Sequence, residues 1–186
     1  KTVVLSDGAP DGFILESSET SGLGGTMNSA ATQLYTGDDA ANKQYRSILS
    51  FDTSLLPDTA VITKVVLKFK HIGFTGTSPF SAHRNLLVDV RKGAFSNSAV
   101  LQLNDFKAAA SKNNVLSFTS AKGNNWYTKA FNTANFQYIN LLCITQFRLR
   151  FKTDDNNDLG ADFLKIYSGN AGAANRPQLV IEYYVP

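Results

Sequence analysis

Residues 45–70, YRSILSFDTSLLPDTAVITKVVLKFK, carry the pattern that decides the fold. From Lys64 onward the residues alternate: Val65, Leu67 and Phe69 form one apolar file, while Lys64, Lys68 and Lys70 lie on the other side beside Val66. A period of two marks an extended strand with one wet and one buried face. Upstream, Leu56-Pro57-Asp58 separates this strand from another over 45–52, because proline presets φ for a turn and aspartate bonds its own backbone. The same alternation recurs in QFRLRFK (146–152), where Phe147, Leu149 and Phe151 oppose Gln146, Arg148, Arg150 and Lys152. It returns in PQLVIEYY (177–184), with Leu179, Ile181 and Tyr183 set against Val180, Glu182 and Tyr184.

Shorter apolar or alternating runs predict further strands at 12–16, 32–36, 85–91, 114–118, 125–131 and 162–168. Turn-forming clusters such as SGLGG, TGDD, GNN, DDNNDLG and GNAGAANRP separate them, since Gly and Asn tolerate positive φ. One helix is expected over LQLNDFKAAASK (101–112), with Asn104 as its N-cap and Ala108 to Ala110 favouring it. Many strands with almost no helix indicate an all-β antiparallel β-sandwich, a jelly roll or a related form, with at most one or two short helices. A chain of 186 residues fits one such domain over 1–186.

Composition narrows the function classes. Eighteen Lys and Arg against 15 Asp and Glu give a net charge of +3, too mild and too dispersed for a nucleic-acid partner. No apolar run approaches the roughly 20 residues of a spanning helix, so no membrane insertion is expected. The single cysteine, Cys143, has no internal disulfide partner; within INLLCIT it reads as a buried thiol. A start at Lys1, with abundant Asn, Ser, Thr and Gly, suggests a piece of a larger exported protein joined to neighbouring domains.

The stretch RSILSFDTSLLPDTAVITKVVLKF resembles the DNRLRE domain family, in which an Arg-Ser-hydrophobic-Phe-Asp strand leads through Leu-Pro into a second hydrophobic strand. The ending YSGNAGAANRPQLVIEYY is similar to that family's loop, Arg-Pro and terminal strand, so the resemblance spans Phe13 to Tyr184. The departure is LSFD, where the family commonly has Arg before the Phe. The resemblance implies a jelly-roll module of secreted or surface-anchored proteins, often near polysaccharide-degrading domains. Some relatives are assigned as carbohydrate-binding modules for alginate, and others have no known ligand. On the residues themselves, Phe51 fills the core, Asp52 and Pro57 shape the turn, and Arg46 holds a neighbouring loop through its forked donors.

Candidate binding residues follow from chemistry. Arg148, Arg150 and Lys152 on one strand and Lys64, Lys68 and Lys70 on another form a cationic patch if their strands adjoin. Such a patch suits uronate carboxylates, because Arg grips a carboxylate with two parallel bonds and Lys adds a mobile charge. Sugar recognition also wants an exposed ring against the apolar face of a pyranose. Trp126 and Tyr127 are adjacent on a strand, so one faces the core and the other faces out. Tyr35, Tyr45, His71 and His83 are further polar-tipped candidates near strand ends.

The loop KTDDNNDLGADF gathers oxygen ligands of the kind calcium prefers, and Asp154, Asp155, Asn157 and Asp158 are the expected holders of a structural Ca²⁺. It is not an EF-hand, because Leu159 stands at the glycine position and Lys165 at the closing Glu position. No nucleophile elbow, zinc-protease or phosphate-loop motif is present. The expected function is a non-catalytic, secreted or cell-surface carbohydrate-binding module for a polysaccharide, with an acidic, uronate-rich one suited to the cationic patch. A structural spacer or adhesion domain, with or without an internal Lys–Asn or Lys–Asp crosslink, is the second reading. A polysaccharide hydrolase or lyase is the third.

Overall fold

A computed structural model describes residues 1–186. In chain order the strands are β1 (Thr2–Leu5), β2 (Gly12–Glu16), β3 (Gly24–Asn28), β4 (Gln33–Asp38), β5 (Gln44–Asp52) and β6 (Val61–Thr75). They continue with β7 (Leu86–Lys92), β8 (Lys112–Phe118), β9 (Trp126–Ala130), β10 (Ile144–Phe151), β11 (Asp162–Tyr167) and β12 (Gln178–Tyr184). Helical structure amounts to a four-residue α1 (Pro79–Ala82) and five short 3-10 turns. No helix is long and apolar enough to cross a membrane.

The strands join in the order β1-β12-β6-β11-β4-β5-β10-β7-β8, with β9 on β6 and with β2 between β3 and β5. All these ladders are antiparallel. The 15-residue β6 belongs to both layers. Its first part pairs with β12 and β9, and from His71 it pairs with β11. One layer is therefore β1-β12-β6-β9 and the other is built from the remaining strands together with the end of β6, making an antiparallel all-β sandwich of jelly-roll type.

The alternating files meet between these layers. Val65, Leu67 and Phe69 of β6, Phe147, Leu149 and Phe151 of β10, and Leu179 and Ile181 of β12 are all buried in one cluster with Phe51. Phe51 and Phe147 meet edge to face, with ring centroids 5.7 Å apart. Burying each such side chain stabilises the fold by roughly 1.5–3 kcal/mol. The turn after β5 forms as its residues dictate, with Asp52 Oδ1 accepting from Ser54 N at 3.2 Å and capping a 3-10 turn.

A second, smaller core lies on the outer side of β2, β5 and β10. Ile14 and Ile48 are covered there by Phe95, Leu101 and Phe106 from the segment joining β7 to β8. This cover explains why no helix forms over 101–112. Leu103–Phe106 is a single 3-10 turn, capped by Gln102 rather than Asn104, and its Phe106 is fully buried. The carbonyls of Asp105, Phe106 and Ala108, which a helix would use internally, instead accept from Arg148. Burial of Phe106 and capture of those carbonyls outweigh the alanines' modest helix preference.

Two strands are not among those expected, and one expectation is corrected. Thr2–Leu5 and Gly24–Asn28 are strands, the second inside a stretch that reads as a turn, because Gly24 and Gly25 let the chain approach Leu103 and Ser17 closely. Cys143 is exposed rather than buried, since residues 141–143 form a bend and β10 begins only at Ile144.

Asp11 ties distant segments together, accepting from Ser50 N at 2.7 Å, Ser6 Oγ at 2.8 Å and Gly169 N at 2.9 Å. Complete burial pushes its carboxyl up from 3.8 to about 7, against the pull of those three bonds. Because the native state holds this proton to higher pH than the unfolded chain, the group's contribution is fully present below about pH 4 and is lost as pH rises through about 7. The stability of the native chain relative to Asp11→Asn is therefore expected to fall by on the order of a few kcal/mol between pH 4 and pH 8. Urea unfolding at a series of pH values measures the difference.

Candidate functional site

The two basic strands do not form one patch. β11, β4 and β5 stand between β6 and β10 in the sheet order. Arg148 is 5% exposed and lies under the β7–β8 segment, not in solvent. Its Nε and Nη2 donate to Asp89 Oδ2 at 3.2 and 3.0 Å, and its Nη1 donates to the carbonyls of Asp105 at 3.0 Å and Ala108 at 2.8 Å. Arg150 grips the same carboxylate, through Nε at 2.9 Å and Nη2 at 3.1 Å, and also donates to Asn114 Oδ1 at 2.8 Å. Burial pushes the Asp89 carboxyl up, but the Arg150 and Arg148 guanidiniums outweigh it and hold the group below the usual carboxylate range. These arginines clamp the fold; they are corrected as polysaccharide ligands because Arg148 is buried and both commit most of their donors to protein acceptors. Arg46 joins them, donating from Nη1 to Phe106 O at 2.6 Å with its guanidinium 4.1 Å from the Phe106 ring centroid.

Tyr127 is likewise corrected. It is fully buried beside Phe69, Phe80 and Phe118, and burial pushes its hydroxyl up to about 12. Its neighbour Trp126 then faces outward, half-exposed, as strand alternation requires.

Around Trp126 the structure does assemble a charged aromatic surface. On β6 and β9, Lys70 pairs directly with Trp126 and Lys68 with Thr128. Lys68 Nζ lies 4.9 Å from the indole centroid, and Lys70 Nζ lies 5.9 Å from both Trp126 and Tyr167. Lys70 is positioned by Asn175 Oδ1 at 2.6 Å. A shallow groove of about 330 Å³ adjoins the ring, lined by Ala121, Lys122, Gly123, Trp126 and Thr128. The same face continues across the layer as a file of Val3, Val180, Val66 and Ala130, in register and uncovered by any other element. Lys64 is set apart by its ion pair with Glu182 at 3.5 Å.

Other candidates disperse. Tyr35 and Tyr45 pack with Phe13 and Phe163 into a half-exposed cluster whose ring centroids lie 4.6–5.8 Å apart, so the rings occupy one another's faces. His71 stacks on Phe74 and Tyr127; burial, aided by the Lys122 charge, holds its imidazole below the ordinary value. A larger hollow of about 430 Å³ near the 133–142 segment is lined mainly by apolar side chains, including Ile62, Phe136 and Leu142.

In the acidic loop, Asp154, Asn157 and Asp158 point to solvent, while Asp155 is buried. Asp155 Oδ1 accepts from Asn157 N at 3.0 Å and Asp158 Oδ1 from Gly160 N at 2.6 Å, the self-bonding of Asx turns. The four residues do not converge on one point. The convergent acidic group is instead Asp38, Asp162 and His83, drawn from β4, β11 and the end of α1, with ligand atoms within 4.8 Å of one another and all three buried. Asp162 closes the acidic stretch KTDDNNDLGADF already noted for its oxygen ligands, whereas its partner Asp38 lies far away in sequence and no local pattern joins the two. Burial opposes charge on His83, but its bond to Asp38 and the charges of Asp38 and Asp162 prevail and raise its imidazole above the ordinary value. No family model matches the chain, and no curated protein matches it.

Removing one member of a buried ion pair strands the others, a loss of about 3–5 kcal/mol. Arg148→Ala is therefore expected to lower the unfolding free energy by about that amount, whereas Lys68→Ala stays within about 0.5 kcal/mol. Urea unfolding of the two variants makes the comparison.

Proposed function

We propose that this chain is a non-catalytic polysaccharide-binding module of a secreted or cell-surface protein, covalently linked there to other domains, and that it takes a uronate-rich chain across Trp126. The observation that carries the reading is the half-exposed indole flanked by Lys68 and Lys70 on the uncovered β1-β12-β6-β9 face. A uronate offers two chemically distinct sides to such a surface. Its pyranose C–H face stacks on an aromatic ring, and its carboxylate pairs with an ammonium.

Lys68 caps the indole in the free protein, an interaction worth about 0.5–1 kcal/mol at an exposed site. A carboxylate draws that ammonium toward itself at small cost and opens the ring face for stacking. Both lysines remain free of carboxylate partners within the protein, in contrast to Arg148 and Arg150. The resemblance to the DNRLRE family, some of whose members are assigned to alginate, supports the same substrate class. The close carboxylates Asp38 and Asp162 are buried and so lie out of reach of a glycosidic bond, which favours binding over hydrolysis.

Titration calorimetry with polyuronate oligosaccharides tests the reading. Trp126→Ala and the double change Lys68→Ala, Lys70→Ala are each expected to weaken binding by roughly tenfold or more while leaving the fold intact. Binding is also expected to weaken as salt is raised, because exposed charge pairs are screened. No heat with any polyuronate, or an unchanged affinity in Trp126→Ala, removes the proposal and leaves the spacer reading in its place.

A further inference from the structure

The buried group around Asp38 lacks the counter-charge it needs. Asp38 is fully buried and Asp162 is 3% exposed, so two carboxylates approach each other out of water, and the charge of Asp155, itself 8% exposed, is felt alongside that of Asp38. The ion pair formed by this group is between Asp38 and the His83 imidazole at 3.1 Å, and no Lys or Arg reaches any of the three. Burying unbalanced carboxylates is costly unless a cation or a full set of donors accompanies them.

The donors account for only part of the acceptors. Asp38 Oδ1 accepts from Asp162 N at 3.1 Å and faces His83 Nε2 at 3.1 Å, but Asp38 Oδ2 has no partner. Asp162 Oδ1 accepts from Thr77 N, and Asp162 Oδ2 accepts from Asn156 Nδ2 at 3.1 Å. The oxygen of the same amide, Asn156 Oδ1, is buried and unpartnered. Two side chains hydrogen-bonded to Asp162 thus each carry an orphaned acceptor, and Asp162 itself has a hydrogen-bonded frame. The backbone accommodates that frame at Gly76, where φ is +67° and a Cβ would meet Asp162 Oδ1 at 2.3 Å.

We propose that Asp38, Asp162 and Asn156 form a site for one hard divalent cation of the calcium type, with Asp155 adding negative charge nearby. The ligand atoms are oxygens: Asp38 Oδ2, a carboxylate oxygen of Asp162 and Asn156 Oδ1, completed by water. Oxygens that share a Ca²⁺ at 2.3–2.6 Å stand within about 5 Å of one another, and Asp38 and Asp162 each offer a carboxylate oxygen within 4.8 Å of the other. His83 then acts as a positioning residue. Its Nε2–H, shared between Asp38 Oδ1 and the Asp162 carbonyl at 3.1 Å each, turns Asp38 so that Oδ2 faces the ion. This assignment moves the expected calcium from Asp154, Asn157 and Asp158, which face solvent, to the buried ends of β4 and β11 beneath them. It does not depend on the polysaccharide reading.

The test uses the chain dialysed against chelator, with Ca²⁺, Mg²⁺, Mn²⁺ and Zn²⁺ added singly in titration calorimetry and thermal melts. One Ca²⁺ per chain and a rise in Tm are expected, since a ligand that binds only the native state stabilises it. Asn156→Ala, which alters a half-exposed loop residue, is expected to weaken Ca²⁺ binding by roughly tenfold or more, as is Asp38→Asn, whereas Asp154→Ala and Asn157→Ala leave it unchanged. Circular dichroism of each variant identifies any that fails to fold, and Asn156→Ala carries the decision if Asp38→Asn is one. The proposal is overturned by silence with all four ions or by binding that survives Asn156→Ala but disappears in Asp154→Ala. It is equally overturned by Zn²⁺ binding lost in His83→Gln while Ca²⁺ has no effect.

Discussion

The constraint on which this architecture rests is that one strand must serve two layers. β6 begins in the face shared with β12 and β9 and ends in the opposite layer against β11. Its inward file of Val65, Leu67 and Phe69 stays continuous with the interior along the way. Everything proposed for function hangs from its outward side or its end. Lys68 and Lys70 lie on the first part, while Thr75, at the end, pairs with Phe163 of β11 and leads to Gly76 and Thr77 beside Asp162. Moving β6 by one residue would exchange its lysines with its phenylalanine and leucine, so the register that builds the core also aims the cations outward.

A second principle separates the charges that hold the fold from those available to a partner. Arg148, which shares Asp89 with Arg150, stitches the β7–β8 segment down over Ile14 and Ile48. Lys68 and Lys70 touch an indole, an amide and open solvent instead. The difference follows from neighbours rather than from residue type. Guanidinium groups placed under a covering loop meet carbonyls and a carboxylate, and their five-donor forks are suited to satisfying several at once. The ammonium groups of Lys68 and Lys70, on an uncovered sheet face, meet no carboxylate.

Local pattern carried much of this in the sequence. Files of period two in 64–70, 146–152 and 177–184 mark which side chains enter the core, and the structure buries Phe147, Leu149, Phe151, Leu179 and Ile181 accordingly. The outward side was less legible, because alternation distinguishes two faces but not whether the second is wet or covered. Arg148 therefore reads as solvated when in fact a distant loop lies over it. The helix expected over 101–112 failed for the same reason, since Phe106 and the carbonyls around it answer to Ile48 and Arg148 rather than to their chain neighbours. The Asp38–Asp162 pair was invisible, being made only when β4 and β11 lie side by side. Trp126 and Tyr127 show the opposite case, where adjacency on a strand sends one ring out and the other in.

The first and last strands are antiparallel neighbours, with Thr2 opposite Ile181 and Leu5 opposite Gln178. Tension applied between the two ends of the chain therefore loads the β1–β12 ladder at its open end, one hydrogen-bonded rung at a time, instead of distributing the load across all rungs in shear. Such a peeling geometry yields at low force. Under such a pull this ladder would open first, while the arginine clamp lies further inside.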